Sequence, residues 1–132
     1  MADLDYAYLA DYAVVQGGKL TAVGASFTHV SIVQLGATFG LSIAGRVRAP
    51  EHVAAARLSF HIAAPDDLYV IDAEADIGGD EARPYRGRVG LLFAATTVVS
   101  LIAEGLYTID ISVDGTQQRR LAFEVSLVSV VG

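Results

Sequence analysis

Seven carboxylates lie between Asp66 and Glu81, at Asp66, Asp67, Asp72, Glu74, Asp76, Asp80 and Glu81, and the next base is Arg83. Such a run can hold a hard cation, attract a basic partner or form a solvated face. Calcium needs several oxygens converging on one point. Asp72, Glu74 and Asp76 alternate with Ile71, Ala73 and Ala75, which puts the three acids on one face of a strand. Neighbouring carboxylates there stand roughly 6–7 Å apart, too far for one small ion. An EF-hand loop begun at Asp72 fails as well, with Ile77 in the glycine position and Arg83 in the place of the final glutamate. The run is read first as a solvated acidic face. Its expected cross-strand partners are Arg83, Arg86 and Arg88 of the following strand. A surface for a basic partner comes second, and a cation-binding segment third.

A second constellation is the row Tyr6, Tyr8 and Tyr12, in step with Val14 and opposite Asp3, Asp5 and Asp11. Aromatic rows on sheets stack bases or sugars in some folds. More commonly they pack into a core or an interface with the hydroxyl at the rim, and that is the expectation here. Asp11 interrupts an apolar run between Ala10 and Tyr12. A buried unpaired carboxylate is costly, so Asp11 is expected to cap a turn or accept backbone N–H groups. No histidine or serine motif accompanies it that would make it a general base.

The remaining chemistry is sparse. His29, His52 and His61 form no pair at metal-ligand spacing and cysteine is absent, so a zinc site would need distant residues to converge. Gly24-Ala25-Ser26-Phe27-Thr28 lacks the closing glycine of a hydrolase elbow. Lys19 is followed by Leu20, not by the hydroxyl residue of a phosphate loop. No catalytic, cofactor-binding or metal residue is assigned, and no cofactor is called for. The surface candidates are Asp72, Glu74, Asp76, Tyr6, Tyr8 and Asp11.

These side chains must be positioned by strands. Tyr107, Ile109, Ile111 and Val113 alternate with Thr108, Asp110 and Ser112, the period-two pattern of a half-buried strand. Phe39, Leu41, Ile43 and Val47 alternate likewise with Thr38, Ser42, Arg46 and Arg48, and Leu58, Phe60 and Ile62 with Arg57, Ser59 and His61. Val89, Leu91 and Phe93 repeat the pattern less cleanly. Turn residues fall between the runs at Gly17-Gly18, Ala49-Pro50, Pro65-Asp66-Asp67, Gly78-Gly79, Glu104-Gly105 and Asp114-Gly115. The spacing predicts an all-β fold, an antiparallel two-sheet β-sandwich of eight to ten short strands. One domain over residues 1–132 is expected for 132 residues. A helical turn is expected only at Glu51 to Arg57.

The last hairpin tests the register. A two-residue loop at Asp114-Gly115 sets Ile109 against Arg120, an apolar face against a polar one. A slip of one residue sets Tyr107 against Phe123 and Ile109 against Leu121, and burial selects that pairing. A longer loop or a bulge around Asp114 to Thr116 is therefore expected.

Composition bounds the function. Nine basic residues against fifteen acidic give a net charge of −6, which supplies no basic face for nucleic acid and is repelled by anionic lipid. The segment from Met1 to Tyr12 holds three aspartates and no base, unlike a secretory signal, so a cytoplasmic location is expected. Hydrophobic residues make 53 % and charged residues 18 %, with a single lysine, the usual guard of sheet edges.

Leu9-Ala10-Asp11-Tyr12-Ala13, then Gly18-Lys19-Leu20 and Gly24, resembles the opening of a bacterial family of short all-β proteins of unknown function. The likeness continues through Glu104-Gly105-Leu106-Tyr107 and Val113-Asp114-Gly115, with Glu104-Gly105 where such relatives read Pro-Gly. It implies a small β-sandwich and transfers no functional residues. The expected function is a non-catalytic binding or assembly module that self-associates, with a protein partner as a further possibility. The alternatives are a small enzyme or ligand-binding protein with a pocket of Tyr, His and Asp side chains, and a cation-stabilised module using residues 66–81.

Overall fold

The computed structural model describes residues 2–78 and 83–128, and eleven strands lie among them. They are β1 (Asp3–Ala10), β2 (Tyr12–Gln16), β3 (Lys19–Val23), β4 (His29–Ile32), β5 (Ala37–Pro50), β6 (Ala55–Ala63), β7 (Val70–Gly78), β8 (Pro84–Tyr85), β9 (Arg88–Leu101), β10 (Gly105–Val113) and β11 (Thr116–Leu127). A four-stranded sheet runs β1-β5-β9-β8 and a five-stranded sheet β4-β11-β10-β6-β7, while β2 and β3 form a separate hairpin. The expected all-β sandwich is observed. The strands beyond ten are accounted for by short pieces such as the two-residue β8. No helix among the described residues is long and apolar enough to cross a membrane.

The period-two runs bury the faces their alternation assigns. Leu41, Ile43 and Val47 of β5, Leu58, Phe60 and Ile62 of β6, Val89, Leu91 and Phe93 of β9 and Tyr107, Ile109, Ile111 and Val113 of β10 fill one core between the two sheets. Its aromatic centre is Tyr107 stacked on Phe123 at 5.2 Å, with Phe27 and Phe39 packed against Phe123. The buried Tyr107 hydroxyl donates to the Ala103 carbonyl at 2.9 Å, so the ring enters the core without an unpaired polar atom.

Several expectations are corrected. The β4–β11 pairing is parallel. These strands are far apart in the chain, so no short hairpin forces them antiparallel. The helical turn closes only from Pro50 to Ala54, whose N–H donates to the Pro50 carbonyl at 3.1 Å. Ala55 to Arg57 already belong to β6. Ser42, assigned to the solvent face of β5, is fully buried and bonded to Thr96 at 3.0 Å. The β2–β3 hairpin folds across the outer face of β5 and β9, where Ala10, Ala13 and Ala44 make a second small core. Small side chains permit that close approach.

At the last hairpin both registers occur. Val113 pairs with Thr116 across a two-residue turn, with Asp114 and Gly115 at φ 49° and 86°, the conformation that suits tight hairpins. Beyond a shift at Ile111/Ser112, Tyr107 pairs with Phe123 and Ile109 with Leu121. The turn is thus tight after all, and the extra residue is Gln118, inside β11. A second bulge lies in β1, where Leu4 pairs with Val47 and Tyr6 with Arg46, leaving Asp5 as the extra residue. The two bulges meet, because Leu4 N–H donates to Gln118 Oε1 at 2.6 Å.

A Cβ on Gly45 of β5 would collide with the Tyr6 carbonyl oxygen of β1 and lie 2.9 Å from both Ala7 Cα and Phe93 Cζ, whereas Gly40 has open space. Gly45→Ala is expected to cost about 1–3 kcal/mol by overpacking, and Gly40→Ala less than about 0.5 kcal/mol. Urea melts of the two variants make the comparison.

Candidate functional site

The most organised polar constellation among the described residues stands on the outer face of the four-stranded sheet. The extra residue at Asp5 resets the alternation of β1. Leu4 and Leu9 point into the core, while Asp3, Tyr6 and Tyr8 share the outer face with Arg46 and Arg48 of β5. Arg46 Nε donates to Asp5 Oδ2 at 2.8 Å, and an Arg46 terminal nitrogen reaches the same oxygen. Arg48 donates to Asp3 Oδ2 at 3.3 Å, and its Nε lies 3.7 Å from Asp5 Oδ1. Arg88 of β9 closes the row, 3.9 Å from Asp3 Oδ1.

An aromatic line crosses this ion network. The Tyr6 and Tyr8 rings are parallel with centroids 6.4 Å apart, and the Arg46 guanidinium sits 5.3 Å from the Tyr6 centroid. Gly90 of β9 makes room: a Cβ there would come within 3.1 Å of Arg46 Cδ and 3.8 Å of the Tyr85 ring. Tyr8, Tyr6, Arg46 and Tyr85 therefore form one platform, with Tyr6 and Tyr85 exposed at 36 % and 45 %. The Arg46 hydrogen bond holds the Asp5 carboxyl below its ordinary range, and the same bond pushes Arg46 upward. The platform presents flat rings and a fixed guanidinium. It offers no nucleophile paired with a base.

The membership of the tyrosine row is corrected, because Tyr12 does not share a sheet with Tyr6 and Tyr8. Tyr6 and Tyr8 stand outside the core between the sheets, Tyr6 exposed and Tyr8 half-buried against the small core of Ala10, Ala13 and Ala44, and Tyr12, 55 % exposed, belongs to β2 rather than to their sheet. Strict alternation sets Asp3 and Asp5 on the opposite face, and the bulge brings them to the tyrosine side. Asp11 marks the exposed bend between β1 and β2. Its N–H donates to the Val23 carbonyl at 3.0 Å, and its carboxylate lies against the α-carbon of Gly24.

The acidic run is also placed differently. β7 pairs with β6, so the cross-strand partners of its acids come from the preceding strand. His61 Nδ1 donates to Asp72 Oδ1 at 2.6 Å, Arg57 Nε donates to Asp76 Oδ1 at 3.1 Å, and Arg57 lies 3.5 Å from Glu74. Arg88, expected opposite these acids, belongs to the other sheet and faces Asp3. Asp66 and Asp67 sit in a 3-10 turn, Pro65–Asp67. Asp80, Glu81 and Gly79 lie outside the described residues. Among the described residues no three His, Asp or Glu side chains converge to hold a metal ion. His29 contacts Thr28 at 2.9 Å and Glu124 at 3.8 Å, and His52 lies in the exposed turn after β5.

The model of a family of unknown function, DUF6941, matches residues 5–126. The chain belongs to DUF6941. The matched span contains Asp5, Tyr6, Tyr8, Arg46 and Tyr85, so the platform, apart from Asp3, lies inside the DUF6941 region. No curated protein matches the chain.

Arg46, Arg48, Arg88 and Tyr85 were not among the sequence candidates. Asp3 and Asp5 on one segment and Arg46 and Arg48 on another, each pair two residues apart, were the available signal for a β1–β5 pairing.

A carboxyl whose pKa falls on folding stabilises the native state above its unfolded value, near 3.9 for aspartate, and loses that contribution as pH falls through the folded value. Asp5 is in that position. Thermal melts at neutral and acidic pH are expected to show a larger loss of Tm on acidification in the wild type than in Asp5→Asn.

Proposed function

We propose that the chain is a non-catalytic binding and assembly module that pairs with a second copy of itself through the outer face of β1, β5 and β9. The observation that carries this reading is the platform: two parallel tyrosine rings on the outer face of the sheet, Tyr6 exposed and Tyr8 half-buried, with an arginine fixed over Tyr6. Tyrosine and arginine dominate the energetics of protein interfaces because they bring large contact area at small entropic cost. The face is also self-complementary. It carries Asp3 and Asp5 beside Arg46, Arg48 and Arg88, so a two-fold contact can set the acids of one copy against the arginines of the other. The low charged fraction, 18 %, agrees with surface that a partner covers. A cytoplasmic location is part of this proposal.

A pocket of Tyr, His and Asp side chains has less support. Tyr6 and Tyr8 face outward from one sheet, and His29 and His61 belong to the other. The surface pocket of about 570 Å³ is lined by Ser31 to Ala37 alone, a single segment without opposed polar groups.

Light scattering coupled to size exclusion tests the proposal. At about 100 μM, where even weak interfaces populate, the wild type is expected to run at twice the chain mass of 13.9 kDa. The Tyr6→Ala/Tyr8→Ala double variant is expected to run as one chain. A single-chain mass for the wild type, or an unchanged dimer in the double variant, overturns the assignment.

A further inference from the structure

The five-stranded sheet ends in an open strand. β7 pairs with β6 over nine residues, from Ala55↔Gly78 to Ala63↔Val70, with no register shift, and it has no neighbour on its other side among the described residues. The other edges are short or interrupted. β4 has four residues and β1 carries its bulge. On β9 the Ser100 carbonyl accepts the Tyr69 hydroxyl at 2.6 Å. β7 lacks proline, lysine and a bulge, and what guards it against strand addition is its row of acidic side chains, which repels an acidic strand and not a basic one.

Its outer face carries Asp72, Glu74 and Asp76, with side chains 73 %, 60 % and 75 % exposed. Their contacts all come from the β6 side, and Arg57 is the one permanent cation among them, since His61 is charged only when protonated. On the open side, an added strand meets unpaired backbone donors and acceptors, with carboxylates repeating every second residue, roughly 6–7 Å apart. A second copy of β7 is a poor occupant, because antiparallel pairing sets its acids against these.

We propose that β7 receives an extended segment of a partner protein with lysine or arginine at alternate positions. Main-chain hydrogen bonds extend the sheet, and each second side chain of the segment meets a carboxylate on the outer face. This surface is separate from the platform and does not depend on self-association.

The probe is a capped, fluorescein-labelled peptide alternating lysine with threonine, followed by fluorescence anisotropy. Binding that weakens with salt is expected, with none for the same peptide bearing glutamate in place of lysine. Two further peptides carry N-methyl groups on the odd or on the even residues. Because alternate N–H groups of an added strand face away from the sheet, one of them is expected to bind and the other to lose about tenfold or more in affinity. Glu74→Lys is expected to reduce affinity by a similar factor. Glu124→Lys, the same charge change three strands away, leaves it within about twofold. Circular dichroism verifies that both variants are folded. Absence of lysine-peptide binding, equal behaviour of the two N-methylated peptides, or unaltered binding to Glu74→Lys overturns the proposal.

Discussion

The hydrogen bond from Leu4 N–H to Gln118 Oε1 joins the two places where the sheets break their own register. An extra residue in a strand leaves a backbone group without its ladder partner, and such a group is costly if it stays unpaired. Here the carboxamide of the residue bulged out of β11 accepts from the residue beside the bulge in β1. Each irregularity therefore supports the other across the seam of the sandwich. The consequence for β1 is a change of parity. Without the extra residue at Asp5, strict alternation would send either Leu4 or Tyr6 and Tyr8 to the wrong side. With it, Leu4 and Leu9 enter the core and both tyrosines stay outside.

The outer face depends on that parity more than on the strength of its own contacts. Exposed ion pairs contribute little, about 0–1 kcal/mol each, and an exposed cation–π contact about 0.5–1 kcal/mol. Against a core that buries Tyr107, Phe123, Leu41 and Ile43 almost completely, these are minor contributions to stability. What they supply is orientation. Asp5 fixes the Arg46 head, the missing side chain of Gly90 admits its stem, and Tyr6 lies against its charged plane. A long flexible side chain is thereby ordered before any partner arrives, which lowers the entropic cost of binding.

Much of the fold was legible because β5, β6, β9 and β10 have one face in a single core, and burial of one face is what period-two alternation records. The register of the last hairpin was legible for the same reason, since setting Ile109 against Arg120 would have put a charge opposite a core residue. Two kinds of information were hidden. A bulge changes side-chain parity without an obligatory sequence mark, so Asp3 and the tyrosines were assigned to opposite faces. Strand neighbours need not be chain neighbours, so the acids of β7 were matched to the arginines that follow them instead of to Arg57 and His61. Ser42 and Ala44 show a third case. Their outer face is covered by a hairpin rich in small residues, and alanine carries too little hydrophobic signal to announce that contact.

The distribution of charge explains how a chain of net charge −6 can present two unlike surfaces. Arg46, Arg48 and Arg88 gather on the four-stranded sheet beside β1, which packs near β11. Asp72, Glu74 and Asp76 line β7, at the edge of the five-stranded sheet that packs near β9. The sandwich thus sets an arginine- and tyrosine-rich face and an acidic edge on different sheets. Exposed charges separated by more than the Debye length, about 8 Å at physiological salt, are largely screened from one another. Each surface can therefore keep its own electrostatic character, and occupation of the platform leaves the hydrogen-bonding edge of β7 free.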